Sequence, residues 1–308
     1  MERKETCRLI FWGTPKFAVP TLQALAGRGT VAAVITQPDR PQGRGRRIMP
    51  GAVRSFAAEH GIPVLQPETF DASFDRELAQ YLPATFLVIA YGRIIPEAVL
   101  QRSERPALNV HPSLLPGLRG PSPIQEALLG GYSETGISLI QLDKEMDHGP
   151  VMAQQKVAIG MDDTQETLSD TLSAMAVACV LKSIDEYCAG RLAGTPQDHS
   201  RATFSKLLTA KDGLLDLSRP AGELHNRVRA LNPRPGTYLM AQGKRLKILA
   251  AKPLQGQQRD LFSKDADGRL LVRCSQGSLL ALTVQAENGR PMDSKDFLNG
   301  HPELLSVS

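Results

Sequence analysis

Asn109 and His111 are the two residues of this chain whose types and spacing best suit catalysis. They lie at the end of a mostly apolar run, residues 107–110, which predicts a β-strand. His111 directly follows this run. Side chains two positions apart on a strand point to the same face, and open α/β sheets bind ligands at the carboxyl ends of their strands. An amide donor beside an imidazole suits stabilisation of a developing oxyanion. An isolated Asn-x-His is more often a turn-capping Asn and a buried structural His.

Asp147 is a second candidate, because it lies in an Asp-His-Gly turn that follows a predicted strand. An aspartate in a tight turn is usually structural. If the preceding strand neighbours the strand of Asn109, however, the carboxylate lies near His111 and favours the protonated imidazole. Asn, protonated His and Asp together suit acyl transfer to an amine, since the amine is itself the nucleophile and no Ser or Cys is needed.

The elements that would position these residues alternate between strand and helix. Strands are predicted at residues 9–12, 31–36, 63–65, 85–90, 107–110 and 136–142, and helices at 17–26, 54–60, 71–81 and 164–187. This order predicts an α/β fold with a doubly wound, mostly parallel, Rossmann-like sheet covered by helices. The turn after the first strand, residues 13–17, holds one glycine and a proline, which argues against a dinucleotide site or a P-loop.

The C-terminal third of the chain differs in style. Residues 190–206 are rich in Gly, Pro, Thr, Asp and Ser and predict a linker. One helix, 221–231, precedes short strands at 237–240, 246–251, 270–274 and 279–284, which predict a small β-barrel of the OB type. We therefore expect a catalytic domain at 1–189, the linker at 190–206 and a second domain at 207–308.

Charge is unevenly distributed between these parts. From Leu207 onward there are 15 Lys and Arg against 10 Asp and Glu, whereas residues 1–206 hold 21 against 22. A solvated basic face and a surface for a polyanion are both consistent with this excess.

Composition indicates a soluble globular protein, with 42% hydrophobic and 22% charged residues. No uninterrupted apolar run approaches the roughly 20 residues of a membrane helix, and the N-terminus lacks the features of a secretory signal. We therefore expect a cytoplasmic enzyme that does not associate with a membrane. The four cysteines form no C-x-x-C pair and no zinc-finger spacing with His, so we expect four reduced packing cysteines and no metal.

The chemistry-bearing segments also resemble a known family. Asn-x-His-x-Ser-Leu-Leu-Pro-x-x-Arg-Gly at 109–120, followed by Asp-x-Gly at 147–149, is similar to the motifs of the 10-formyltetrahydrofolate-dependent formyltransferases. The resemblance implies that Asn109, His111 and Asp147 are catalytic and that 10-formyltetrahydrofolate is the formyl donor, with no metal. It also implies a folate pocket between two segments, formed by Ser113, Leu114, Leu115 and Pro116 and by Tyr91, Gly92, Arg93, Ile94 and Ile95.

The match extends to segments outside the catalytic motifs. Residues 37–47 are similar to a basic loop in the family members that act on methionyl initiator tRNA, and residues 231–235 to a motif of their C-terminal domain. The resemblance implies that the loop binds the acceptor arm of that tRNA, through Arg40, Arg44, Arg46 and Arg47. No obligatory protein partner is implied. The chain has Arg234 and Leu217 where these relatives commonly have aromatic residues, which affects tRNA docking rather than chemistry.

Two alternatives remain open at this point. A formyltransferase of the same family that acts on a nucleotide sugar or on glycinamide ribonucleotide would share the Asn, His and Asp set, but neither the basic loop nor the C-terminal part fits it well. An RNA-binding protein with a vestigial catalytic domain would keep the basic surfaces, but Asn109, His111 and Asp147 are all present.

Overall fold

The computed structural model describes residues 7–42, 47–256 and 258–306. They form two compact units. The first contains the described residues up to 123 together with 135–157 and 169–205, and the second contains 124–134, 158–168 and the described residues from 206 onward.

The first unit is built on a seven-stranded sheet. The first nine strands in chain order are β1 (Leu9–Gly13), β2 (Val31–Ile35), β3 (Arg40–Gln42), β4 (Arg47–Met49), β5 (Val64–Leu65), β6 (Thr85–Ile89), β7 (Leu108–His111), β8 (Glu134–Gln141) and β9 (Val151–Ala158). The sheet order is β5-β2-β1-β6-β7-β8-β9, and β3 and β4 form a separate ribbon. The five strands from β5 to β7 are parallel, whereas β8 pairs antiparallel with β7. The predicted mostly parallel sheet is confirmed.

The helices of this part of the chain are α1 (Val19–Ala26), α2 (Ala52–Glu59), α3 (Ala72–Ala79), α4 (Glu97–Leu100), α5 (Pro123–Leu129) and α6 (Gln165–Cys188). Every residue of β1 and β6 is buried, as expected for parallel strands covered by helices on both faces. Asp71 caps α3 by accepting from the backbone N–H groups of Ser73 and Phe74. The ribbon of β3 and β4, α5 and β9 were not predicted.

Helix α6 is long and apolar enough to cross a membrane by length and composition alone. Polar residues interrupt its sequence, and its apolar residues Leu172, Ala176 and Cys179 are almost fully inaccessible to solvent. The Ser173 hydroxyl donates to the Phe17 carbonyl oxygen at 2.7 Å, which ties the helix to the first unit. Its apolar face is therefore used as the core face of a folded unit.

Two of the four cysteines are paired. Cys7 precedes β1 and Cys188 ends α6; they form a disulfide with Cα atoms 5.6 Å apart. The expectation of four reduced cysteines is wrong for this pair, because 181 residues separate the partners and only the folded chain brings them together. Cys179 and Cys274 are free and buried, as expected.

The second unit contains an antiparallel sheet. Its elements are α7 (Ala221–Leu231), β10 (Tyr238–Ala241), β11 (Lys244–Leu254), β12 (Phe262–Lys264), β13 (Leu270–Arg273), β14 (Ser278–Ala286), β15 (Met292–Asp293) and α8 (Ser294–Gly300). The sheet order is β10-β11-β14-β13-β12, with β15 also paired to β14. Register shifts bend the long β11 against β14, and apolar residues from the strands, α7 and α8 share one core. This is the barrel-like fold that the closely spaced short strands predict.

Candidate active site

The structure brings Asn109, His111 and Asp147 together at the carboxyl end of β7. Asn109 Nδ2 lies 3.4 Å from Asp147 Oδ1, and His111 Nδ1 lies 3.5 Å from the same oxygen. Strand β8, which precedes the loop of Asp147, is the antiparallel neighbour of β7. An amide donor and an imidazole therefore converge on one point, which a carboxylate oxygen occupies.

The orientation of His111 is fixed on its other ring nitrogen. Nε2 lies 2.9 Å from the carbonyl oxygen of Leu118, and a carbonyl only accepts, so Nε2 carries a hydrogen and donates it. The ring is 4% exposed. Nδ1 is consequently the atom that faces Asp147 and the atom at which a proton can be gained or lost.

Asp147 is held through its second carboxylate oxygen. The Gly120 N–H donates to Oδ2 at 2.8 Å, and Asp147 is 9% exposed. Gly120 has a φ of +108° and a Cβ there would lie 2.8 Å from the Ser205 carbonyl oxygen, so only glycine fits at this donor. Asp147 itself has a φ of +51°, a left-handed conformation that is uncommon for a residue with a side chain.

Gln197, which is outside the predicted set, binds the backbone of the Asp147 turn. Gln197 Nε2 donates to the carbonyl oxygens of Asp147 (2.9 Å) and Gly149 (2.7 Å), while its Oε1 accepts from Arg119. Gln197 comes from the segment that we expected to be a linker, yet residues 190–205 belong to the first unit. Sequence reasoning missed it, since an amide that binds backbone carbonyls follows no motif.

A stacked pair of histidines lies beside this network. The rings of His148 and His199 are 3.9 Å apart and inclined by 3°. His199 Nδ1 lies 2.9 Å from Arg119 Nη2 and must accept, because a guanidinium only donates. His148 Nδ1 contacts Asp143 Oδ2 at 2.7 Å. No role was assigned to His148 from the sequence, and its hydrogen bond is with Asp143 on the exposed side of the Asp147 loop.

The turn predicted to hold folate follows β7 directly. Ser113 Oγ donates to the Gly117 carbonyl oxygen at 2.6 Å, and Ser138 Oγ donates to the Ser113 carbonyl oxygen at 2.7 Å. Ser113 and Leu115 are buried, whereas Leu114 and Pro116 are partly exposed. The turn is thus held by β8 through Ser138.

The second predicted folate segment follows β6, the parallel neighbour of β7. Tyr91 is 2% exposed and packs edge-on against Trp12, so burial raises the pKa of its hydroxyl. Arg93 donates to the carbonyl oxygens of Pro67 and Glu68. Ile94 is 84% exposed.

The other two residues of this segment, Gly92 and Ile95, also differ in solvent exposure. Ile95 is buried and Gly92 is exposed, with the Gln37 Nε2 only 2.6 Å from the position of a Cβ on Gly92. Within residues 91–95, therefore, Gly92 and Ile94 face solvent, whereas Tyr91 and Ile95 are packed inside. The assignment of this segment to folate stays a prediction.

The basic segment is a two-stranded ribbon at its base. Arg40 begins β3, is exposed, and pairs with Met49 of β4, while the Arg47 backbone pairs with Gln42. Arg44 and Arg46 lie outside the described residues, and of Arg47 only the backbone is described. Within the described part of the chain, no three His, Cys, Asp or Glu side chains converge as metal ligands would.

Two family models match this chain. The family model described as formyl transferase matches residues 7–184, and the formyl transferase C-terminal domain model matches residues 207–302. A methionyl-tRNA formyltransferase of Myxococcus xanthus is 39% identical over 297 residues, which cover 96% of this chain and 95% of that protein. One of Sorangium cellulosum is 40% identical over 299 residues, covering 95% and 96% respectively.

Solved structures share the fold at lower identity. An N-formyltransferase from Helicobacter canadensis, in complex with folinic acid and dTDP-3-aminofucose, aligns with a TM-score of 0.70 and 17% identity, covering 91% of this chain and all of that one. WlaRD, a sugar 3N-formyl transferase with dTDP and 5-N-formyl-THF, aligns with a TM-score of 0.67 and 16% identity, covering 93% and all of that chain. These likenesses concern the fold.

Proposed function

Because the chain belongs to the formyl transferase family, we infer that it transfers a formyl group from 10-formyltetrahydrofolate to the α-amino group of methionyl initiator tRNA. One observation carries the chemistry: Asn109, His111 and Asp147 meet within 3.5 Å at a strand end. A second carries the acceptor: relatives named for methionyl-tRNA match at 39–40% identity across both parts of the chain.

The proposed reaction needs no protein nucleophile. The lone pair of the methionyl amine forms a bond to the formyl carbon, and the carbonyl π electrons move to oxygen. Asn109 Nδ2 and His111 Nδ1 are suited to donate to that oxyanion beside Asp147 Oδ1, the atom that both face in this structure. Collapse breaks the bond to the folate nitrogen, which takes up the proton that the amine loses.

Asp147 is proposed to orient His111 and keep it charged, and to assist this proton movement. Since Nε2 of His111 donates to the Leu118 carbonyl, Nδ1 is the atom that faces Asp147, and its single hydrogen would be shared between Asp147 and the oxyanion.

Folate is proposed to lie between the turn at Ser113–Pro116 and the segment Tyr91–Ile95, which follow the neighbouring strands β7 and β6. The side chains available to it in the second segment are those facing solvent, above all Ile94. Small-molecule sites are mostly apolar with a few polar groups, which fits the leucines of the first segment.

The tRNA is proposed to use two positive surfaces. Arg40, Arg44, Arg46 and Arg47 on the basic ribbon would contact phosphates of the acceptor arm, and the C-terminal domain from residue 207 would contact the tRNA farther from its 3′ end. The excess of Lys and Arg after Leu207 supports this proposal.

The reaction is proposed to take place in the cytoplasm, a compartment in which a disulfide such as Cys7–Cys188 is uncommon.

The competing acceptor is the amine of a nucleotide sugar, because sugar formyltransferases share this fold. A formylation assay with three acceptors separates the possibilities: methionyl initiator tRNA, free methionine and a nucleotide-sugar amine. We expect product only with the charged tRNA. Formylation of the sugar amine alone would assign the protein to the other branch, and no product with any acceptor would reject the enzymatic proposal.

A further inference from the structure

We propose that Gln197 is a positioning residue that holds the Asp147 turn in its active conformation. This inference rests on the proposed function, since it assigns Gln197 a role in that reaction. Gln197 lies in the segment of residues 190–205, outside all the motifs by which the catalytic residues were found.

The side-chain amide of Gln197 uses its full hydrogen-bonding capacity. Its nitrogen has two hydrogens, and they go to the carbonyl oxygens of Asp147 and Gly149 at 2.9 and 2.7 Å. Its oxygen accepts from Arg119 Nε at 3.2 Å and Nη2 at 2.8 Å. Gln197 is 7% exposed and Arg119 is 4% exposed, so water does not compete for these groups.

The orientation of this amide is determined by its neighbours. Arg119 only donates, so the Gln197 oxygen must face it, and the nitrogen must then face the two carbonyls. Arg119 is itself anchored: its N–H donates to the Thr203 carbonyl oxygen at 2.9 Å, and its carbonyl oxygen accepts from the Ser205 N–H at 2.7 Å. The amide is thus presented to the turn by a rigid support.

The Asp147 turn needs such a support. A left-handed φ is sterically unfavourable for a non-glycine residue, and Asp147 has a φ of +51°. Gln197 binds the carbonyl of that same residue, and Gly120 binds its carboxylate at 2.8 Å. One contact holds the backbone and the other holds the side chain, so together they fix Oδ1 opposite Asn109 and His111.

The test is Gln197→Glu, which keeps size and shape but removes both donors. The new carboxylate gains an ion pair with Arg119, so the fold is retained, but it faces two carbonyls that it cannot bind. We expect kcat for formylation of methionyl initiator tRNA to fall about 10²-fold, with KM for both substrates changed by no more than about threefold. Gln141→Glu is the matched control, since the Gln141 amide donates to the Tyr187 hydroxyl instead.

A double-mutant cycle separates positioning from general damage. If Gln197 acts through Asp147, Gln197→Glu has no further effect in an Asp147→Ala background, within about twofold. A role in overall structure would make the two losses multiply. Arg119→Lys, which retains charge but not the two-nitrogen contact, is expected to show a smaller loss with the same dependence on Asp147.

The outcomes are distinguishable. The positioning role would be overturned if the losses of Gln197→Glu and Asp147→Ala multiply. It would also be overturned if Gln197→Glu raises only KM or keeps the wild-type kcat. The wild-type protein in the same assay tests the proposed function by itself. An active wild type beside an equally active Gln197→Glu therefore rejects only this inference, whereas an inactive wild type rejects the proposed function.

Discussion

Replacement of Asp147 by asparagine changes one group at the centre of the proposed site. The Gly120 N–H requires an acceptor at the Oδ2 position, so the amide oxygen of Asp147→Asn is held there. The new NH₂ then faces Asn109 Nδ2 and His111 Nδ1, which lie 3.4 and 3.5 Å from the present oxygen. At Asn109, two NH₂ groups then face each other, and both can only donate. His111 can bind the new NH₂ group only by accepting at a neutral Nδ1.

The kinetic consequence follows from the missing proton chemistry. A neutral His111 with an occupied Nδ1 neither donates to an oxyanion nor passes a proton, and positioned acid–base groups contribute about 10²–10⁴ in rate. We expect kcat to fall by about that factor, an increase of roughly 3–5 kcal/mol in the barrier. Folding stability should change by only about 1 kcal/mol, because the hydrogen bond with Gly120 survives in neutral form.

The assay is steady-state formylation of methionyl initiator tRNA, with binding of a folate analogue measured separately by calorimetry. Folate affinity is expected to stay within about threefold of wild type, since Asp147 does not bind folate in this mechanism. Asp143→Asn is the matched control: Asp143 is exposed in the same loop and contacts His148 rather than His111. Wild-type kcat in Asp147→Asn, or a loss that lies wholly in folate binding, would refute the reasoning.

Three other outcomes are expected. Asn109→Ala and His111→Ala should each lower turnover about 10²–10³-fold because an oxyanion donor is removed, and near-normal turnover would reject that assignment. A variant that combines Arg44→Ala, Arg46→Ala and Arg47→Ala should bind tRNA with a weaker dependence on salt. The slope of log affinity against log salt should fall by about 1 for each arginine that binds a phosphate, and folate affinity should be unchanged. An unchanged slope would mean that the basic ribbon is only a solvated surface. Asp71→Ala should lower the denaturant midpoint at neutral pH, because helix α3 loses its N-cap. The Thr69 hydroxyl and then backbone N–H groups lower the pKa of Asp71, so its stabilisation is full above about pH 4, the unfolded value, and disappears as pH falls through the folded one, where the two proteins should converge.

The strands that were predicted are those with the plainest physical signal. The run at residues 86–90 is continuously apolar because β6 is buried on both faces, and in the run at 107–110 only Asn109 is polar and partly exposed. Strand β9 was missed because only Met152 among its eight residues is fully buried, so polar residues interrupt the run. The ribbon of β3 and β4 was missed because its Gly- and Arg-rich sequence is typical of a loop.

The same limit applies to the site. Asn109, His111 and Asp147 were predicted because their side chains carry recognisable chemistry and sit in short motifs. Gln197 was not, because what it contributes is an amide directed at backbone carbonyls, which any sequence possesses. From the sequence alone, the Gly and Pro residues of its segment indicate a linker, because the parts of the protein that pack against this segment are not known. Only the fold brings Gln197 to Asp147, which lies 50 residues earlier in the chain.

Backbone conformation gives a last reason to connect Asp147 with function. Both Leu118, whose carbonyl orients His111, and Asp147 adopt a left-handed φ, of 58° and 51°. Glycine would adopt either conformation without the steric cost that a side chain brings. At position 147, however, glycine has no carboxylate to face His111, so the side chain is retained against the backbone preference. Such conformations persist where the surroundings over-determine them, and here Gly120 and Gln197 supply that constraint from two directions.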